Sequence, residues 1–194
     1  MLQLFNSLQG AAAQGLIWGL MAIGVYITFK ILSISDLTVD GSMVTGAAVC
    51  TMLMIGGMNP YLAMLCAMLS GGLCGLVTGL LHTVLEIPAI LAGILTQLAL
   101  WSVNLKIMDG ANASLPARNY DVIITQMSQI EAIAVLVAIS AVVIGLLYWF
   151  FGTELGCSIR ATGCNINMSR AQGINTEFNK VLGLVISNAL VALA

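Results

Sequence analysis

Long apolar stretches separated by short polar ones dominate this chain. Residues 8–32, 41–58, 61–81, 87–105 and 132–151 are each almost continuously apolar. A helix rising 1.5 Å per residue needs about 20 such residues to cross a hydrocarbon core about 30 Å thick. The cleanest run, 132–151, carries no charge and ends in Tyr148, Trp149, Phe150 and Phe151, aromatic side chains that favour a membrane interface. A further run starts near Val181 and is still apolar at Ala194. The pattern predicts an all-α fold: a polytopic transmembrane helix bundle, one domain over residues 1–194, with five complete spans and a sixth left unfinished. The first apolar run is too long for the core of a signal peptide, and residues 1–10 contain no Lys or Arg, so no cleavable leader is expected.

Composition agrees. Of 194 residues, 60% are hydrophobic and 7% charged, where a soluble domain carries roughly 25% charge. Disorder needs the opposite bias. With a net charge of −2 and six Lys plus Arg, no basic surface exists for nucleic acid. Cys50, Cys66 and Cys74 lie within apolar runs, where a free thiol acts as a small hydrophobe. A single histidine and the lack of a CxxC pair give no metal signature and no nucleophile set, so neither a metal site nor an enzyme is expected. His82 and Glu86, four apart, read as an interfacial polar pair, with Pro88 in the first turn of the next helix.

The few basic residues set an orientation. Lys30, Arg160, Arg170 and Lys180 fall in one set of connections and Lys106 and Arg118 in the other. The positive-inside rule places the first set in the cytoplasm. The N-terminus is then outside, as is the polar loop 109–129. Its Asn112-Ala113-Ser114 formally matches a glycosylation acceptor, a chance match in a bacterial protein.

Small residues recur at helical spacing: Gly71, Gly75 and Gly79; Gly15 and Gly19; Ser42 and Gly46. Hydrophobic contact does not drive helix pairing in lipid, so such residues let backbones approach. They predict helix packing within the bundle, or a glycine-lined pore or subunit seam. The eleven methionines are adaptable apolar filler or a soft permeation surface. Gln97 and Asn104, seven apart on one helical face, predict interhelical hydrogen bonds or a pathway lining.

Two breaks carry the functional signal. Residues 33–42 include Asp36, Thr38, Asp40, Gly41 and Ser42. They form either a solvated cytoplasmic turn or a broken second helix lining a cavity, since unwound backbone is tolerated at depth only where protein or water surrounds it. In that second case the two acids would be functional, and all five polar or small residues would belong to a translocation path. The other break, residues 152–180, is the longest polar stretch on the cytoplasmic side. Asn165 and Asn167 can cap a short helix over 168–172, and Gly173 can end it. Such an elbow suits docking of a soluble partner, or is simply a linker.

The run from Arg160 to Asn175, RATGCNINMSRAQGIN, resembles the cytoplasmic loop of membrane subunits of ATP-binding-cassette importers of the branched-chain amino acid and ribose permease family. Arg160, Ala161, Gly163, Asn165, Arg170, Gly173 and Ile174 match the family pattern; Ser169 stands for the usual alanine, and Ile166 where a proline is common. Residues 15–32 and 36–42 are similar to a sub-branch paired with tryptophan-type or uncharacterised-substrate binding proteins. The resemblance implies a permease subunit in a bacterial cytoplasmic membrane. It implies two copies forming the pathway and ATPase subunits docking on the 160–174 loop, with ATP and magnesium on those partners and no cofactor in this chain. It also implies an extracytoplasmic solute-binding protein contacting outer loops, including 109–121. Its members add two or more spans beyond this endpoint. The solute expected from the sub-branch is an amino acid or related compound. An ion-coupled transporter using Asp36 and Asp40, and a non-transporting scaffold, are the alternatives.

Overall fold

The computed structural model describes residues 2–111 and 129–194. Arg118, the Asn112–Ser114 acceptor and most of the 109–129 loop lie outside them. Eight helices follow in order: α1 (Leu2–Tyr26), α2 (Val39–Ile55), α3 (Pro60–Thr83), α4 (Ala89–Ile107), α5 (Gln129–Gly152), α6 (Glu154–Cys164), α7 (Ile166–Ala171) and α8 (Thr176–Leu193). A π-helical turn, Ile27–Ile31, prolongs α1.

Among the described residues, five stretches are long and apolar enough to cross a membrane: Gly10–Ile31, Pro60–Thr83, Ala89–Ile107, Glu131–Gly152 and Thr176–Leu193. This corrects the expected division in two places. The sixth helix begins at Thr176 rather than near Val181, because the Phe178 N–H donates to Asn175 Oδ1 at 3.1 Å. That cap makes the polar residues Thr176–Lys180 a first turn instead of loop. Its 18 residues rise about 27 Å. The short member is α2, 17 residues long, which starts part-way along the bundle.

Helix α8 is central and packs on α1, α2, α3 and α6. The glycines of α3 explain why. A Cβ on Gly71 would meet Ala192 and the Asn188 carbonyl, one on Gly75 the Leu184 carbonyl, and one on Gly79 the Val181 Cα at 3.1 Å. From other sides, a Cβ on Gly46 would lie 2.6 Å from the Ala192 carbonyl and one on Gly24 2.9 Å from the Ser187 carbonyl. The expected helix packing therefore exists along α3, with α8 as its partner in a seam within one chain. Gly15 and Gly19 differ: no atom lies within 4 Å of a Cβ placed on either. The same spacing there faces outward, so among the described residues those two pack against no helix. Helix α5 joins the bundle through α1 and α6.

Candidate functional site

The break after α1 is an irregular segment set partly into the protein, with Ser33 and Leu37 exposed and Ser35 and Asp36 half-buried. The π-helical turn closes with Leu32 N–H donating to the Ile27 carbonyl at 3.0 Å, and Ile34 N–H then reaches back to the Thr28 carbonyl at 2.9 Å. Leu32, Ile34, Thr38 and Val39 are buried, which overturns the solvated-turn alternative. Residues 33–38 are neither helix nor strand: Ser33 is left-handed at φ +56° and Thr38 already lies in the helical region, so irregular chain and the short α2 share the second crossing. Gly93 makes room for this chain, since a Cβ there would stand 2.8 Å from the Leu37 nitrogen.

A set of polar contacts holds the break. Asp36 Oδ1 accepts from the Thr38 N–H at 2.8 Å, a turn that leads into α2. Its Oδ2 accepts from Asn188 Nδ2 at 2.7 Å. Asn188, 0% exposed, also donates to the Leu184 carbonyl at 3.0 Å. Ser42 Oγ lies 2.7 Å from Asn188 Oδ1 and 3.0 Å from the Val39 carbonyl. Thr38 and Thr78 hydroxyls are 2.7 Å apart, and Thr78 donates to Thr96 at 3.0 Å. The break is thus tied to α3, α4 and α8. Asn188 lies twelve residues into α8, about 18 Å from its start, so Asp36 sits between the ends of the bundle.

Asp40 and Gly41 fall inside the first turn of α2 rather than capping it; Thr38 precedes the helix. Asp40 is exposed and complements the positive end of the helix. A Cβ on Gly41 would lie 3.3 Å from Gln97 Cα and 3.0 Å from Leu100 Cδ1, placing Asp40 level with the middle of α4. A carboxylate there is too costly to face hydrocarbon, so it opens to water or to protein. Gln97 is half-buried beside it. Asn104 faces differently from expectation. It is 2% exposed, yet among the described residues neither amide atom has a hydrogen-bond partner. It borders an apolar cavity of about 320 Å³ with Val44, Trp101 and Met108. The expected interhelical bond is not made.

At the other break, α6 and α7 form an elbow. Asn165, extended at φ −155°, ends α6 and starts α7, its Oδ1 accepting from the Met168 N–H at 3.0 Å. Ile166 therefore takes the first helical position, where proline is favoured, and α7 begins two residues before the expected 168. Gly173, at φ +81°, ends it: its N–H meets the Arg170 carbonyl at 3.0 Å and Ile174 N–H the Ser169 carbonyl at 3.1 Å. This is a Schellman closure.

The seven motif residues divide by position. Asn165, Arg170 and Gly173 are exposed, and Ala161 and Ile174 are half-buried. Arg160 Nη2 donates to the Phe151 carbonyl at 2.9 Å. Arg170 Nε donates to Thr176 Oγ1 at 3.0 Å, and its pairing with Glu177 at 3.4 Å is solvent-exposed and contributes little. Gly163 faces inward, where a Cβ would meet the Ile31 carbonyl. Asn179 of α8 bolts the elbow down, donating to Ser158 Oγ at 2.6 Å and Thr162 Oγ1 at 2.9 Å. Sequence reasoning missed Asn179 and Asn188, although for Asn188 an amide within an apolar run was itself a signal. His82 Nδ1 lies 2.8 Å from the Ile87 carbonyl instead of pairing with Glu86, whose backbone turns at φ +54°. Pro88 precedes α4 rather than lying in its first turn.

A polytopic bundle with a discontinuous second crossing and a two-helix elbow is the architecture of a membrane permease. The match of residues 7–194 to the family described as branched-chain amino acid transport system / permease component shows that the chain belongs to that family. It is 39% identical over 181 residues to a tyrosine transport system permease protein of Clostridioides difficile, covering 93% of this chain and 60% of that one. It is 34% identical over 188 residues to the uncharacterized protein RP368 of Rickettsia prowazekii, covering 97% and 66%. Identity to the D-allose transport system permease protein AlsC of Escherichia coli is 28% over 192 residues, covering 97% and 58%. The chain thus spans about three fifths to two thirds of the length of these relatives. No solved structure matches it.

Proposed function

We propose that the chain supplies part of the transmembrane pathway of an ATP-driven importer of a small solute, an amino acid or related compound. It sits in a bacterial cytoplasmic membrane with its N-terminus outside. ATPase subunits, which carry the ATP and magnesium, dock on the α6–α7 elbow. A second permease copy completes the pathway, and an extracytoplasmic binding protein delivers solute. The amino-acid reading leans on the tyrosine permease, while the allose relative keeps the solute class open to test.

One observation carries the mechanism. Helix α8 holds the elbow through Asn179 and the broken crossing through Asn188, nine residues apart, or about 14 Å along one rigid helix. Displacing the elbow therefore displaces the support of the break, the kind of bistable element that a docked ATPase can bias. Asp36, Thr38, Asp40, Gly41, Ser42, Gln97 and Asn104 surround that break and are assigned to the pathway.

The test is uptake by vesicles carrying the full permease with its ATPase and binding protein. Met168 is exposed on α7, so Met168→Glu changes the docking face without touching the bundle. Insertion should be normal and ATP-dependent uptake should fall at least tenfold. Ordinary uptake in Met168→Glu would refute docking at the elbow. Uptake driven by an ion gradient without ATP, and lost in Asp36→Asn, would replace this mechanism by ion coupling.

A further inference from the structure

The groove between the ends of α1 and α5 has a composition that the permease reading leaves unused. It encloses about 730 Å³. Ile27, Ile144 and Leu147 form apolar walls, while Tyr26, Tyr148 and Arg160 stand at its margin. Tyr148 and Tyr26 are exposed, at 85% and 57%. Both lie where α1 and α5 reach the elbow, the level at which aromatic side chains with polar tips favour a membrane interface. The wall on the α1 side is the π-helical turn, whose Ile27 and Ile31 both line the groove; such turns are frequent at functional sites. Among the described residues, Arg160 engages others only through Nη2, with the Phe151 carbonyl and Cys157 Sγ. Nε and Nη1 remain to meet an anion in the groove.

We infer that this groove holds one anionic phospholipid, its acyl chain between α1 and α5 and its phosphate on Arg160. An apolar trough that opens to the bilayer and ends in a guanidinium flanked by two phenols matches an acyl chain joined to a phosphate. A soluble anion would use only the margin. The inference depends on the chain crossing a membrane and not on its being an importer. If it holds, the leaflet acts on the same arginine that heads the elbow motif, so lipid composition would influence that elbow.

Native mass spectrometry of the delipidated full chain in detergent tests this. Phosphatidylglycerol and phosphatidylcholine of identical acyl composition are titrated separately, with inorganic phosphate as a third arm. One tightly retained phosphatidylglycerol is expected, preferred about fivefold over phosphatidylcholine, the increment of one basic residue near an anionic headgroup. Arg160→Gln should bring the two lipids to parity. Ile144→Phe, which fills the trough and leaves the cation, should weaken both severalfold. Lys106→Gln removes the same unit charge from the other end of α4, away from the elbow, and should change nothing. Parity in the unmodified chain would overturn the inference, as would equal loss in Lys106→Gln or displacement of the lipid by millimolar phosphate. Should Arg160→Gln fail to fold, Ile144→Phe decides: unchanged phosphatidylglycerol binding there refutes the site.

Discussion

Replacing Asn188 by alanine removes the donor that holds Asp36 and the acceptor that holds Ser42. The first bond is short, 2.7 Å, and ends on a carboxylate. Bonds to charged groups contribute about 1.5–3 kcal/mol. The second is between neutral groups, also at 2.7 Å, and interhelical bonds of that kind average about 0.6 kcal/mol in membrane proteins. Asp36 is only half-buried and keeps its bond to the Thr38 N–H, which argues for the lower part of the charged range. The expected coupling between Asp36→Ala and Asn188→Ala is therefore about 1.5–2 kcal/mol, against about 0.6 for Ser42→Ala with Asn188→Ala. Denaturant titration of the chain in mixed micelles measures each midpoint, and the double-mutant cycle isolates each pair. If the Asp36 cycle is additive to within about 0.5 kcal/mol, the Asp36–Asn188 bond does not hold the break. The proposed link from α8 to the pathway then fails with it.

Three further outcomes follow from the packing. Gly75→Ala drives a Cβ into the Leu184 carbonyl, a backbone atom that cannot swing aside, and should destabilise by about 1–3 kcal/mol. Gly15→Ala meets open space and should leave the same titration midpoint unchanged or slightly raised; equal losses at both sites would refute the seam. Asn104→Leu removes a buried amide without partners among the described residues beside an apolar cavity, and should stabilise the chain by about 1 kcal/mol, read by the same titration. A loss of stability there would mean that the amide is satisfied after all. Gly173→Ala imposes a side chain at φ +81° and should cost about 1–2 kcal/mol at the elbow, seen as faster amide exchange over α7 with the spans unaffected.

The spans were legible because lipid leaves little choice: a backbone must satisfy itself in a helix, and about 20 apolar residues are the signature. The interruption at Asp36–Ser42 was legible for the same reason, since charge and glycine cannot continue such a run cheaply. What the chain pattern could not state was direction. Gly15 and Gly19 have the spacing of Gly71 and Gly75, yet one pair meets nothing and the other meets α8. Spacing shows that residues share a face and is silent on what lies opposite. Gln97 and Asn104 fail similarly: they share a side of α4, but Asn104 finds no partner there among the described residues. The start of α8 was missed because Thr176–Lys180 is polar enough to read as loop, and only the Asn175 cap converts it to helix.

Glycine contacts and hydrogen bonds do different work in this bundle. In lipid an apolar side chain gains nothing by choosing one helix over another, so leucine and isoleucine cannot specify neighbours. Along α3 and α8 the specification is steric: Gly71 and Gly75 admit backbone carbonyls, and Gly79 the Val181 Cα, that any larger residue would repel. Such a seam is rigid, because a slide of one residue would bring Leu76 and Leu80 to the places of Gly75 and Gly79. Around the break the specification is polar, through Thr38, Thr78, Thr96, Ser42, Asp36 and Asn188. Hydrogen bonds can exchange partners or water where close carbonyl contacts cannot. The irregular segment and the start of α2 are therefore the parts able to rearrange while α3 and α8 stay paired. That division is what a pathway gated at its broken crossing requires.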